Sequence, residues 1–334
     1  MTAGMKSGRR KQPAGRPIRT SPFQQRLLAW YDGNRRDLPW RRDRDPYRVW
    51  LSEIMLQQTR VAAVLEHYRK FLQRFPSVEK LASARESSVL AAWSGLGYYR
   101  RARMLHAAAR KIVRERGGKF PAHAEELRAL PGIGRYTAAA IASIAFGEPV
   151  AVVDGNVERV LQRVLGKNLG GEEKWQAADT LLSRRRPGDF NQAMMELGAT
   201  VCLPRAPMCQ ACPVFDLCAT RGELQKPVKS PRQRKREIHY ALHRRNGSVF
   251  LVKRQNDASL MPGMWELPEL SSSNGTGEPY LTLRHSITVT DYLVRVSQAA
   301  ASEGSNGRWV PRASIATLPL TGLARKILRA AQVI

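Results

Sequence analysis

The sequence predicts two domains, an all-α one followed by a smaller α/β one. Three observations carry this. From Phe23 to about Cys218 the apolar residues recur at helical spacing. Residues 223–236, ELQKPVKSPRQRKR, combine prolines and a run of charge with almost no apolar side chains, which is the composition of a linker. Beyond it the apolar period changes to alternation, as half-buried strands require. The length of 334 residues also exceeds what a single hydrophobic core usually serves.

Taken in order, residues 1–22 are basic and polar, lack an apolar signal segment, and read as a disordered arm; an organelle transit segment has the same composition. Asp45-Pro46 supplies a cap and a first-turn proline for a helix carrying WLSEIMLQQTR, residues 50–60. Thr59 reads as the cap of the next helix. RARMLHAAARKIVRERGG is amphipathic, with Leu105, Ala109, Ile112 and Val113 on one face and a Gly117-Gly118 stop. LRALPGIGRYTAAAIASIA, residues 127–145, is a helix, a Pro-Gly-x-Gly turn and a second helix. After the linker, IHYALH and SVFLVKR flank Asn246-Gly247 and predict a β-hairpin. TVTDYLVRV is a further strand and GLARKILRAA a closing helix. No internal repeat is present.

Composition narrows the partners. There are 55 basic and 28 acidic residues, a net charge of +27, and the excess is not confined to one tail. A chain this basic attracts a polyanion through phosphate contacts and counterion release. Charge alone fits nucleic acid, an anionic membrane surface or a ribosomal partner. The longest mostly apolar run, Thr137 to Phe146, falls well short of the ~18 residues that span a bilayer, so no membrane insertion is expected. Cys202, Cys209, Cys212 and Cys218 fall in one short segment rather than scattered as disulfide staples, and predict one metal site. Their spacing, C-x6-C-x2-C-x5-C, leaves structural zinc and an iron–sulfur cluster both open.

Two carboxylates stand out. Glu53 sits among Leu51, Ile54 and Met55, an apolar setting that raises an acid's pKa and suits proton donation. Asp154 precedes the helix of VDGNVERV, where the simplest role is an N-cap. Neither is distinctive alone; together they match glycosidic cleavage, which uses one protonated and one ionised carboxyl group. The turn glycines Gly132 and Gly134 allow positive φ and close approach, and a helix start after such a turn suits a phosphate. Trp40 and Tyr98 lie among arginines in RRDLPWRRDRD and GLGYYRRAR, an arrangement that can stack bases while holding phosphates, or serve as core and solvated face.

The stretches RRDLPWR, SEIMLQQTR, GLGYYRRAR, LPGIGRYTA, VDGNVERV, FNQAMMELG and the cysteine loop resemble, in the family's order, the MutY adenine DNA glycosylases of the helix-hairpin-helix superfamily. The resemblance implies an all-α helix-hairpin-helix glycosylase domain over 23–222, closed by a [4Fe–4S] loop at 202–218, then the 223–236 linker and a Nudix-like α/β domain over 237–334. It implies that Glu53 protonates adenine at N7 and that Asp154 stabilises the sugar cation, with Asn156 and Tyr136 in support. Gln58 becomes the wedge that fills the hole left by a flipped base, and Tyr98 its partner at the opposing base. Arg36, Trp40, Arg41 and Gln192 would line or approach the adenine pocket. Relatives that also nick the backbone carry a lysine where this chain has Tyr136, so a monofunctional enzyme is expected.

The implied partner is double-stranded DNA containing adenine opposite 8-oxoguanine or guanine, bound by a monomer, in a nucleoid, nucleus or mitochondrion, with the linker available to a protein partner. MPGMWELPEL matches the Nudix-like segment of the family, but no glutamate-rich box follows, so phosphohydrolysis is not expected. Where many relatives have Phe-Ser-His, this chain has Ile287, Thr288 and Val289; Thr288 keeps the hydroxyl and the histidine is lost. Two other readings share parts of the pattern: a mismatch thymine glycosylase and a non-catalytic iron–sulfur DNA-binding protein.

Overall fold

The computed structural model describes residues 20–224, 234–255, 257–258, 261–270, 278–287, 290–300 and 306–334. The helices run α1 (Thr20–Asn34), α2 (Pro46–Leu56), α3 (Val61–Arg74), α4 (Val78–Ala82), α5 (Glu86–Ala92), α6 (Arg100–Arg116), α7 (Ala124–Leu127), α8 (Arg135–Phe146), α9 (Gly155–Leu165), α10 (Glu173–Leu181) and α11 (Pro187–Thr200). Strands follow as β1 (Arg234–Ala241), β2 (Arg244–Arg245), β3 (Ser248–Lys253), β4 (Trp265–Glu266), β5 (Glu269–Leu270), β6 (Leu281–Ile287), β7 (Thr290–Ser297) and β8 (Gly307–Pro311), with α12 (Arg312–Ile315) and α13 (Gly322–Ala330) closing the chain. The helical-then-stranded division is therefore as the sequence predicts.

Two compact units form, and they do not follow the chain. One comprises the described residues up to Pro46, Ala122–Leu127, and Gly134 onward through the cysteine loop; the other comprises Tyr47–Pro121, Arg128–Ile133 and the strand-rich C-terminal part. In the first, Phe23, Leu27 and Tyr31 recur at i, i+4, i+8 on α1 and are fully buried. They join Val157, Val160 and Leu161 of α9 and Phe190, Met194 and Leu197 of α11 in one cluster. Burying each such large side chain contributes roughly 1.5–3 kcal/mol.

In the second unit α2 is buried at Tyr47 and from Val49 through Met55, with Arg48 exposed between them, and Trp50 stands edge-on to Phe120 at 5.5 Å. The C-terminal part holds a mixed sheet of order β5-β1-β7-β6 and a second sheet of β2-β3-β4 with β8 on β3. It is fastened to the helices of the same unit by hydrogen bonds: Tyr99 Oη donates to the Leu320 carbonyl at 2.7 Å, Arg103 Nη2 to the Pro262 carbonyl at 2.6 Å, and Arg325 Nε to Ser94 Oγ at 2.9 Å.

Several local expectations are corrected. α1 begins at Thr20, so residues 20–22 are helical rather than part of the arm, whose residues 1–19 lie outside the described ones. β1 begins at Arg234, inside the predicted linker, of which 225–233 lie outside the described residues. Thr59 is not a cap: Arg60 precedes α3 without a side-chain cap, and the Thr59 hydroxyl donates to the Gln57 carbonyl instead. The Asn246-Gly247 turn is present, with φ of 47° and 70°, as a two-residue hairpin turn requires. It joins only β2 to β3, however; β1 pairs in parallel with β7, from Arg234 opposite Thr290 to Ala241 opposite Ser297. The reason is burial: Tyr240, Ala241 and Leu242 are consecutively buried, so both faces of the chain are covered there, which a lone hairpin cannot provide.

Candidate active site and nucleic-acid interface

The second unit holds the acid and both residues expected at the base stack. Glu53 is 6% exposed on α2, packed in the helix with Leu51, Ile54 and Met55, which are also buried. Two residues past the end of α2, Gln58 is exposed and left-handed at φ 56°. Tyr98, 47% exposed, is left-handed as well, at φ 48°. For residues other than glycine this conformation costs about 1–3 kcal/mol and marks a held geometry. Gln58, Tyr98 and Gly132 line one cavity of about 1020 Å³. Gly132 is required there: at φ 73°, an added Cβ would lie 2.5 Å from that of Met104 on α6. Gly134 is not left-handed; it caps α8 at φ −86° with open space where a Cβ would be.

Arg101, half-buried between α2 and the glycine loop, is in sequence only one arginine of the basic GLGYYRRAR cluster. Its guanidinium donates to the carbonyls of Ile54, Met55, Gln57, Leu96 and Gly97 and to Thr59 Oγ1. Burial lowers its pKa to about 10, which leaves it charged at neutral pH.

The first unit holds the anion. Asp154 caps α9, accepting from the Val157 N–H at 2.7 Å and from Asn156 Nδ2 at 3.2 Å. The capping role read from sequence is thus real, and one carboxylate serves as cap and as candidate catalytic anion. Burial raises its pKa, and the bonds from Val157 and Asn156 oppose that only in part. Asn156 is held in turn: Arg159 Nη2 donates to its Oδ1 at 2.9 Å and to the Gly198 carbonyl at 2.6 Å, while Arg159 Nε reaches the Cys202 carbonyl at 2.8 Å. α11 approaches closely because residue 198 is glycine; a Cβ would stand 2.7 Å from that of Asn156. Tyr136, on the first turn of α8, donates its hydroxyl to Met195 Sδ at 3.5 Å.

A carboxyl group whose folded pKa is raised binds its proton more tightly folded than unfolded. Stability from that group is therefore lost as pH rises from the unfolded value, about 3.9, through the raised one. Asp154→Asn keeps the oxygen that accepts from Val157 and removes the buried charge, which offsets the lost acceptor for Asn156 Nδ2. Its melting temperature at pH 7 is expected to equal or exceed the wild type's, with any advantage vanishing near pH 4. Thermal unfolding at both pH values checks this; a large drop at pH 7 would contradict it.

Arg36 and Arg41 converge on one residue missing from the sequence reading. The Glu196 side chain is fully buried and accepts from Arg36 Nε and Nη2 at 2.7 Å each and from Arg41 Nη2 at 2.8 Å. Burial pushes its carboxyl up, but the hydrogen bonds from Arg36 and Arg41 outweigh this and hold it at about 2. Trp40 is buried at 6% exposure in the same segment, and Gln192, half-buried, lies one turn before Glu196 on α11. Glu196 carried the same signal as Glu53, an acid within an apolar run, AMMELG.

The four cysteines, expected to hold one metal group, all line one small cavity between α9, α11 and their own loop. Arg163 Nη1 donates to Cys202 Sγ at 3.3 Å and the Arg221 N–H to Cys218 Sγ at 3.4 Å. Burial pushes the Cys212 thiol up to about 11, with the neighbouring sulfurs adding to it. Among the described residues no three His, Cys, Asp or Glu are grouped to hold a single metal ion. Four thiols lining one cavity beside cationic and N–H donors have the donor chemistry that a sulfur-bridged cluster requires. Thr288 and Val289 lie outside the described residues; Ile287 ends β6, its backbone paired with Thr290. No described helix is long and apolar enough to cross a membrane.

Residues 51–178 match the family model described as HhH-GPD superfamily base excision DNA repair protein. The human adenine DNA glycosylase is 51% identical over 219 residues, covering 61% of this chain and 40% of that protein. An adenine DNA glycosylase of Buchnera aphidicola subsp. Baizongia pistaciae is 36% identical over 250 residues, covering 71% of each. The chain spans less than half the length of the human, mouse, rat and Arabidopsis relatives. Among solved structures, a thermostable thymine-DNA glycosylase superposes with a TM-score of 0.57 at 33% identity, over 60% of this chain and 96% of that one. An Endonuclease III–DNA complex superposes at 0.53 and 21% identity, over 61% and 97%, and shares the fold. The chain belongs to the adenine DNA glycosylases of the HhH-GPD superfamily.

Proposed function

We propose that the chain is a monofunctional DNA glycosylase that hydrolyses the N-glycosidic bond of adenine paired with 8-oxoguanine or guanine. The observation that carries this is the pairing of a buried acid on α2, Glu53, with an exposed left-handed amide just past the helix end, Gln58, five residues on. The first suits protonation of a flipped base in a dry pocket, and the second suits insertion into the space that base leaves. In this reading Glu53 gives its proton to adenine N7, and the C1′–N9 bond breaks with its electron pair leaving on the base. Asp154 faces the oxocarbenium-like sugar; water adds to C1′ and returns a proton to a carboxylate, leaving an abasic site. Asp154→Asn would then be inactive while stable. Tyr136, unlike a lysine, has no amine to form a Schiff base with the sugar, so strand cleavage is not coupled to base release.

Cys202, Cys209, Cys212 and Cys218 would hold a [4Fe–4S] cluster, which cross-links their loop and takes no step in the hydrolysis. The C-terminal part would read the opposing 8-oxoguanine, with Thr288 as the candidate contact. Chain breakage of duplexes carrying adenine opposite 8-oxoguanine, guanine or thymine, with and without alkali, tests the reading. Breakage only after alkali, fastest opposite 8-oxoguanine, is expected. Release of thymine instead of adenine would transfer the chain to the activity named for its 33%-identical structural neighbour, and tight binding with no base release would leave a non-catalytic binder.

A further inference from the structure

None of the roles above uses Arg101, yet it stands at the base of both left-handed residues. The last carbonyls of a helix lack intrahelical partners, and at the end of α2 Arg101 Nη1 takes those of Ile54 at 2.8 Å and Met55 at 2.9 Å, together with that of Gln57. Nη2 takes Thr59 Oγ1 at 3.1 Å and the carbonyls of Leu96 and Gly97 at 3.2 Å each. One side chain therefore brackets Gln58 through both of its chain neighbours and holds the segment immediately before Tyr98. The guanidinium carbon also lies 5.6 Å from the centre of the Tyr98 ring and 5.4 Å from that of Trp93. A lysine ammonium has three donors on a flexible stem and cannot reproduce a planar fork shared among six acceptors.

We propose that Arg101 is a positioning residue that fixes Gln58 and Tyr98 together in their left-handed conformations, so that both enter the base stack as one preformed pair. This rests on the glycosylase reading, in which those two side chains meet the opened duplex. Without the guanidinium, the strained backbone at each residue relaxes toward ordinary φ, and the pair must be re-formed each time a base is turned out.

The test uses the full chain with Glu53→Gln, which is expected to bind without excising, and a duplex carrying 2-aminopurine in place of adenine opposite 8-oxoguanine. Unstacking of 2-aminopurine raises its fluorescence. At saturating protein, adding Arg101→Met is expected to reduce that rise, corresponding to an extrusion equilibrium constant lowered by about tenfold, the effect of releasing one such strained residue. Arg101→Lys is expected to fall in the same direction, and Thr59→Val, which removes a single acceptor, to a smaller extent. Circular dichroism establishes that each variant is folded; should Arg101→Met unfold, the lysine and Thr59 variants decide. A folded variant that binds and extrudes like its parent overturns the proposal, as does equal loss of binding and extrusion. Adenine release by the wild type is measured in parallel: its absence removes the glycosylase reading, whereas its presence with unchanged extrusion removes only the role of Arg101.

Discussion

Replacing Glu53 with glutamine is expected to slow adenine release by roughly a thousandfold or more, the loss of about 4 kcal/mol of transition-state stabilisation, while leaving duplex affinity within a few-fold of wild type. The side chain is 6% exposed on a helix whose residues from Val49 to Met55 are all buried, so its surroundings are built for shape as much as for charge. Glutamine fills the same volume and keeps an acceptor oxygen, but its amide cannot hand a proton to a ring nitrogen. The fold should therefore persist and the chemistry should not. Single-turnover release from a duplex with adenine opposite 8-oxoguanine, alongside equilibrium binding to the same duplex, separates the two. Equal rates for wild type and variant would remove Glu53 from the reaction. A parallel loss of affinity would mean the residue holds the fold rather than the proton.

What could be read in the sequence, and what could not, divides by the range of the interactions involved. The capped start of α9, the left-handed turn at Asn246-Gly247 and the buried character of α2 are local, and each is written in a few adjacent residues. The partner of β1 is not local: its parallel neighbour β7 lies some fifty residues on, and the turn that joins β2 to β3 says nothing about it. The site divides the same way. Glu53 and Asp154 could be singled out because an acid in an apolar run and an acid before a helix are visible in one dimension. Gln58 and Tyr98 could be named by resemblance, but their shared left-handed backbone and common cavity exist only in three dimensions. Arg101 looked like one more arginine in a basic stretch, because the carbonyls it binds carry no trace in the sequence. Arg159 and Arg163, one turn apart on α9, had a spacing that placed both on one face; what they grip, the cysteine loop, could not be inferred from that spacing.

Glu196→Gln is expected to lower stability by about 3–5 kcal/mol, because it leaves buried positive charge without its counter-ion. The Arg41 side chain is only 11% exposed and the Glu196 side chain not at all, so water cannot replace the lost carboxylate oxygen. Arg36, at 39% exposure, can turn to solvent; Arg41 cannot do so without leaving its place beside the Tyr31 ring, 5.6 Å away. For a domain of this size a loss of that order lowers the melting temperature by roughly 6–20 °C. The same carboxylate sets an acid limit. Its folded pKa, about 2, is depressed below the usual value of 4.5, so its contribution is fully present above the unfolded pKa and is lost as pH falls from about 4.5 through 2. Wild type should lose stability across that window more steeply than the glutamine variant, which has no carboxylate to protonate, and the two melting curves should converge at the acid end. The contrast with Asp154 is the sharpest check, since there a raised pKa makes the amide harmless at pH 7 and here a depressed one makes it destructive. A Glu196→Gln protein that melts within about 3 °C of wild type at pH 7 would show that Arg36 and Arg41 find other partners, and that this buried cluster does not hold α11 to the segment between α1 and α2.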